Sequence, residues 1–132
     1  MQVNIRPEQL AVGAMTAIWL GFGAMHFLEP TETARQLPPW FPSKTFIVYA
    51  SGVAEMMLGI GLVPRATRRW AAWGTLVLLV AFTPAVVHIV WNDIVPVEWS
   101  PTARSFARWI VIPSNVSLGY GAYWLATRHS PQ

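Results

Sequence analysis

Cysteine is absent from this 132-residue sequence, and that absence removes a block of chemistry. Without thiols there is no disulfide framework, no thiolate metal site and no dithiol relay, so a thiol–disulfide oxidoreductase is excluded. Charge is scarce as well: 11% of the residues are Asp, Glu, Lys or Arg, against roughly 25% in ordinary soluble domains. A soluble fold this small could not wet its surface with so few charges, so the surface must face something other than water. Nucleic acid is not expected as a partner, because the nine basic residues flank apolar runs and form no stripe. No haem, flavin or iron–sulfur motif is present either, so any redox role would draw electrons from a partner protein or a bound quinone.

What the sequence does hold is apolar residues in long runs, 54% of the total. Leu10–Leu28, Thr45–Pro64, Trp70–Asn92 and Trp109–Thr127 carry no charged residue or, in the second run, only Glu55. Each is close to the ~20 helical residues that cover a hydrocarbon core of about 30 Å. The expectation is a single all-α membrane domain over residues 1–132, a four-transmembrane-helix bundle running up-down-up-down. Its helices are predicted at about 9–28, 45–64, 70–92 and 107–127. A cleaved leader is not expected, because Arg6 is followed by Pro7 and Glu8 and no small-x-small site closes the first run.

The second run is the marginal one. An ionised Glu55 at its centre costs about 3 kcal/mol, while its eight Val, Leu, Ile and Phe residues return roughly 2.4 to 4.8 kcal/mol. Pairing with the third run as a hairpin, with Glu55 facing protein or carrying its proton, resolves the deficit.

Prolines punctuate the runs. Glu29-Pro30 ends the first helix, Pro38-Pro39-Trp40-Phe41-Pro42 fills the first loop, Pro64 to Arg69 forms a tight turn, and Asn92 to Pro101 makes the third connection. An even number of crossings collects five basic residues (Arg6, Arg65, Arg68, Arg69, Arg128) on the side of the termini and four (Arg35, Lys44, Arg104, Arg108) on the other. The arginine turn favours termini in the cytoplasm. Trp40, Trp70, Trp91, Trp99, Trp109 and Trp124 fall near predicted helix ends, where an aromatic belt forms.

Glu55 is the first candidate for chemistry. Ser51, Gly52 and Gly59 stand four and three residues before it and four after, so all share a small, polar helix face. That face suits a proton-handling or ligand-binding carboxyl; a carboxyl hydrogen-bonded to a neighbouring helix is the plainer alternative. His26, on a face with Trp19 and Gly23, and His88, one turn after Pro84, lie in the same outer half. Glu55 lies about 14 Å below the outer end of its helix, taking about 1.5 Å per residue. Two rim histidines and a central carboxyl suggest a proton path or a pocket for a quinone head group; interfacial histidines bonded to carbonyls or water are the alternative. Two histidines are too few for a stable metal site, and no metal is expected. Ser114, Asn115 and Ser117 after Pro113 are read as interhelical hydrogen-bond glue. Arg104 and Arg108 are read as a solvated or snorkelling face, or as partners of Glu29, Glu32, Asp93, Glu98 or an anion.

Several motifs resemble the DoxX-like family of small four-helix membrane proteins. They are Gly23-Ala24-Met25-His26-Phe27-Leu28-Glu29-Pro30, Leu37-Pro38-Pro39-Trp40-Phe41-Pro42, Ser51-Gly52-Val53-Ala54-Glu55, Leu58-Gly59-Ile60-Gly61-Leu62 and Pro64-Arg65-Ala66-Thr67-Arg68-Arg69. The similarity runs up to Pro84-Ala85. Beyond it, Val86 stands where the family usually has Asn. Val111 and Asn115 stand around Pro113 where the family has Arg and Gln, and Arg108 is one turn earlier. The resemblance implies membrane-bound redox work, as in subunits of thiosulfate:quinone oxidoreductase, or a role in complexes or assembly.

Three functions are therefore expected as alternatives, and enzyme status is left open. The first is a quinone-linked or redox-associated membrane subunit with Glu55, His26 and His88 as catalytic candidates. Gly52, Gly59, Trp40, Asn115 and Arg108 are then the ligand-binding candidates, and other membrane subunits or further copies of the chain are the partners in the bilayer. The second is a non-enzymatic scaffold or assembly factor packing through Gly52, Gly59 and Gly61. The third is a carrier of a small lipophilic molecule.

Overall fold

The computed structural model describes residues 6–95 and 99–128. Those residues form five helices and no strand: α1 (Pro7–Leu28), α2 (Pro30–Arg35), α3 (Lys44–Leu62), α4 (Arg65–Asn92) and α5 (Pro101–Thr127). The all-helical class follows the sequence reading, and four of the helices correspond to the four apolar runs. Of these, α1, α3 and α4 are long and apolar enough to cross a membrane.

The boundaries depart from expectation in three places, each with a local cause. Pro30 does end α1, but it also sits at the first position of α2, where its missing N–H is no loss and its fixed φ is already helical. The loop read as irregular therefore opens with one and a half turns of helix, held by an Arg35–Glu32 pair at 3.0 Å. At the next reversal, α3 stops at Leu62 and α4 starts at Arg65, so the arginine run read as turn is helix. Thr67 Oγ1 donates to Gly61 O at 2.7 Å, and Arg68 donates to Leu62 O at 2.8 Å and Val63 O at 2.6 Å. Side chains of the second helix thus satisfy the orphan carbonyls of the first, and only Val63 and Pro64 are needed for the turn. Finally, α5 begins at Pro101, not near 107, because Ser100 caps it by accepting Ala103 N–H at 3.3 Å. Two non-glycine residues take left-handed backbone, Ser43 (φ 46°) before α3 and Asp93 (φ 53°) after α4. Lys44 Nζ to Leu37 O (3.0 Å) and Arg104 to Asp93 (2.8 Å) tie down these corners.

Neighbouring long helices pack in chain order, α1 on α3, α3 on α4 and α4 on α5, with a smaller contact between α1 and α5. The α1–α3 seam is the closest, because Gly23 and Gly52 face each other: a Cβ on Gly52 would lie 3.1 Å from Gly23 O, and one on Gly23 would lie 2.9 Å from Gly52 O. Thr16 Oγ1 bridges the same seam to Gly59 O at 3.1 Å. Gly74 receives Leu58 between α3 and α4, and Gly121 lies against Met15 between α5 and α1.

The buried apolar cluster of Val12, Met15, Trp19, Leu62, Ala71, Ala72, Leu118, Ala122, Leu125 and Ala126 comes from the half of the molecule nearest the termini. Outward positions are large and apolar instead: Val77, Val80, Met57, Phe46 and Val116 are each at least 66% exposed. Exposed apolar area on this scale suits a hydrocarbon solvent, in which a helix keeps its backbone hydrogen bonds within itself.

Candidate functional site

The α1–α3 seam fixes the register around Glu55. Gly23 meets Gly52 and Met56, and Gly59 meets Trp19, so Glu55 falls between the levels of Trp19 and His26 on the facing helix. Glu55 is 2% exposed, and its Oε2 lies 3.4 Å from His26 Nδ1. The same Nδ1 lies 2.8 Å from Phe22 O. A carbonyl oxygen only accepts, so Nδ1 carries the proton and Nε2 of the neutral ring is the base. The 3.4 Å approach is longer than a hydrogen bond, and Oε2 has no hydrogen-bond partner among the described residues. One imidazole N–H therefore faces two acceptors, the Phe22 carbonyl it serves and the Glu55 carboxyl it nearly reaches.

Two further buried polar atoms without a partner among the described residues stand at this depth. They are Trp19 Nε1 and Thr75 Oγ1. Trp19 packs against Gly59, one turn from Glu55, and the pairing of Leu58 with Gly74 and of Gly61 with Ala71 brings Thr75 to the Glu55–Leu58 turn of α3. The sequence pattern puts Trp19 on the His26 face without giving it a role, and it does not single out Thr75. The available signal was that each carries a donor that the bilayer interior cannot satisfy.

The other candidates separate into different places. His88 does not join His26 and Glu55. Its Nδ1 accepts from Asn92 Nδ2 at 2.8 Å, and it lines an open groove of about 610 Å³ between Pro38-Pro39-Trp40 and α4. Val80, Pro84, Val87 and Trp91 supply the groove's apolar wall, and Thr83, His88 and Asn92 its polar groups. Of the ligand-binding candidates, Trp40 lies in this groove, whereas Gly52 and Gly59 are filled by α1 side chains and backbone. Gly61 likewise faces Ala71 of its own chain. The glycines named for partner packing are thus occupied within the molecule.

Asn115 and Ser114 are not interhelical glue. Asn115 Nδ2 donates to Val111 O and Ser114 Oγ to Ile110 O, each at 2.7 Å and each one turn back on α5. Short polar side chains in a helix find that acceptor without a neighbour. Arg108 donates to Val90 O on α4 and stacks on Trp109 at 5.3 Å from its ring centre, and Arg104 takes Asp93 from its expected partners. Glu98, another of those partners, lies outside the described residues. Among the described residues no group of three or more His, Cys, Asp or Glu is placed to hold a metal ion.

The site therefore consists of a buried carboxyl with the His26 N–H 3.4 Å away and the unpartnered Trp19 and Thr75 donors at its depth, and a separate amphipathic groove carries the second histidine. No curated protein and no solved structure matches the chain. A family model described as Domain of unknown function (DUF8561) matches residues 15–126, from the first half of α1 almost to the end of α5, and the chain belongs to that family.

Proposed function

We propose that α1, α3, α4 and α5 all cross the bilayer as a four-helix, up-down-up-down bundle, and that the protein is a DoxX-like, redox-associated subunit of a bacterial inner membrane. In this reading Glu55 and His26 take up and release the proton that accompanies electron transfer to a quinone. The observation that carries it is the enclosed Glu55 carboxyl 3.4 Å from the nitrogen of a histidine whose side chain keeps 14% exposure. Evolution tolerates an intramembrane carboxyl where it does work, since it weakens insertion of its helix by a few kcal/mol, about 3 for an ionised group.

A fourth crossing is supported by the way α5 solves its polarity. Ser114 and Asn115 bond their own helix, and Leu118, Ala122, Leu125 and Ala126 bury against the other helices. The arginine-rich end, with Arg65, Arg68, Arg69 and Arg128, is assigned to the cytoplasm by the positive-inside rule.

A quinone fits the chemistry of the groove. Trp40 and Trp91 offer flat apolar walls, and His88 and Asn92 offer groups for a ring oxygen. When bound, a quinone supplies the electron acceptor and takes up protons at its oxygens on reduction. With Nδ1 occupied by Asn92, the free ring N–H of neutral His88 is Nε2, the atom that would hold such an oxygen. In this reading electrons come from a partner protein or the bound quinone, as the sequence carries no haem, flavin or iron–sulfur motif.

The groove also favours a second reading, a binder or carrier of a small lipophilic molecule with no proton chemistry. Reconstituted protein with a soluble quinone analogue distinguishes the two. Under the first reading, His88→Ala lowers analogue binding, and Glu55→Gln leaves binding intact while abolishing the proton uptake that accompanies reduction by the co-purified partner. Unchanged proton uptake in Glu55→Gln leaves only the carrier, and unchanged binding in His88→Ala removes the groove from both.

A further inference from the structure

The basic residues of this chain are not equivalent. At the outer end each arginine is engaged: Arg35 by Glu32, Arg104 by Asp93 and Arg108 by Val90 O. At the end nearest the termini, Arg65, Arg68, Arg69 and Arg128 surround a polar pocket of about 340 Å³ whose only carboxylate among the described residues is that of Glu8. Glu8 is already paired with Arg68, which also donates to two α3 carbonyls. Arg68 is thus a structural clasp that neutralises the pocket's acid, and among the described residues Arg65, Arg69 and Arg128 have no acidic partner. Three guanidinium groups sharing one concave surface repel one another unless an anion lies between them.

We propose that this pocket binds the phosphate group of an anionic molecule, with Arg65 and Arg69 as its principal donors. Guanidinium groups suit phosphate because their planar N–H forks meet two oxygens at once. The aromatic surroundings set the depth. Trp70 lines the pocket and is 76% exposed, and Arg128 stacks on Trp124 at 4.1 Å from its ring centre. Tryptophans of this kind mark the headgroup level of a bilayer, where the phosphate of an anionic lipid is the nearest abundant ligand and a free phosphate the other source. The pocket is remote from Glu55 and the outer groove, so this inference stands apart from the proton and quinone reading.

The test uses the full chain in nanodiscs of phosphatidylcholine containing a minor fraction of phosphatidylglycerol, with retained lipid identified by native mass spectrometry. Wild-type protein is expected to retain phosphatidylglycerol above its bulk fraction. Each arginine near such a surface contributes roughly fivefold, so Arg65→Gln/Arg69→Gln lowers retention by about 25-fold, and Arg35→Gln leaves it unchanged. Both pocket side chains are exposed, and an unfolding midpoint equal to wild type verifies that the double variant folds. If inorganic phosphate displaces the lipid or protects the protein without it, the pocket is a phosphate site whose occupant is soluble. Phosphatidylglycerol retention and phosphate protection that both survive in the double variant overturn the proposal.

Discussion

Replacing Gly52 by alanine puts the tightest seam of the molecule under a measurable load. The added Cβ would lie 2.7 Å from His26 Cβ, 3.0 Å from Phe27 Cε2 and 3.1 Å from Gly23 O. Neither His26 Cβ nor Gly23 O is the free end of a flexible chain, so relief requires α1 and α3 to separate by several tenths of an ångström. Overpacking of this kind costs typically about 1–3 kcal/mol, but alanine also gains up to about 1 kcal/mol over glycine in helix propensity. Gly21→Ala supplies the control, because a Cβ there has nothing within 4 Å and receives the propensity gain alone. The difference between the two variants isolates the packing term, about 1–3 kcal/mol, or roughly five- to 150-fold in the unfolding equilibrium. Reversible unfolding in mixed micelles, followed by helicity, measures it. If Gly52→Ala and Gly21→Ala agree within about 0.5 kcal/mol, the ordinary error of such comparisons, the close approach of α1 and α3 is wrong. The same separation would carry His26 away from Glu55, so on the proton reading proposed above proton uptake should fall in Gly52→Ala and not in Gly21→Ala.

Two smaller effects follow from named hydrogen bonds. Thr16→Val keeps the side-chain volume and removes the bond to Gly59 O at 3.1 Å; it should cost about 0.6 kcal/mol, the average for interhelical bonds in membranes, in the same unfolding assay. Arg68→Ala removes two carbonyl bonds and the partner of Glu8 at a partly exposed corner. Discounting the ion pair for screening leaves roughly 1–3 kcal/mol. Amide exchange at Gly61–Val63 should accelerate more than exchange at the middle of α3, and equal acceleration throughout the helix would show that Arg68 does not act as its cap.

Much of this structure could be read before any coordinates because the bilayer reduces the problem to length and charge. Leu28 as the end of α1 follows from Glu29-Pro30, and the glycine face of Glu55 follows from four residues spaced on one side of a helix. Which of the two candidate histidines faces Glu55 was out of reach: His26 meets it, and His88 does not, through the offset between helices, and no single-helix pattern encodes that offset. The early start of α4 was missed for a different reason. Arg65, Arg68 and Arg69 interrupt the apolar run, but arginine is a good helix former, and the helix simply extends beyond the hydrocarbon. Ser114 and Asn115 were misassigned although the rule that short polar side chains bond one turn back was sufficient to place them. The short α2 shows that a proline can stop one helix and start the next.

The division of the molecule along its helix axes bears on which readings can survive together. Nearly all of the sealed apolar core lies toward the termini, where Arg68 also ties α1, α3 and α4 together. His26, His88 and the groove lie toward the opposite end. Trp19 belongs to both regions: it is 1% exposed within the core cluster, yet its Nε1 finds no partner at the depth of Glu55. Rearrangement at the carboxyl therefore presses on a residue the core holds in place, whereas the groove is walled by exposed side chains and a proline-rich loop. On the proton reading, the Glu55–His26 pair moves by rotation of one imidazole and the helices around it stay fixed. Ligand entry at the groove, by contrast, can proceed without disturbing the core. A variant that loosens the terminal core around Trp19 should thus impair proton uptake while sparing groove binding, and the reverse order of sensitivity would show that Trp19 does not couple the core to the carboxyl.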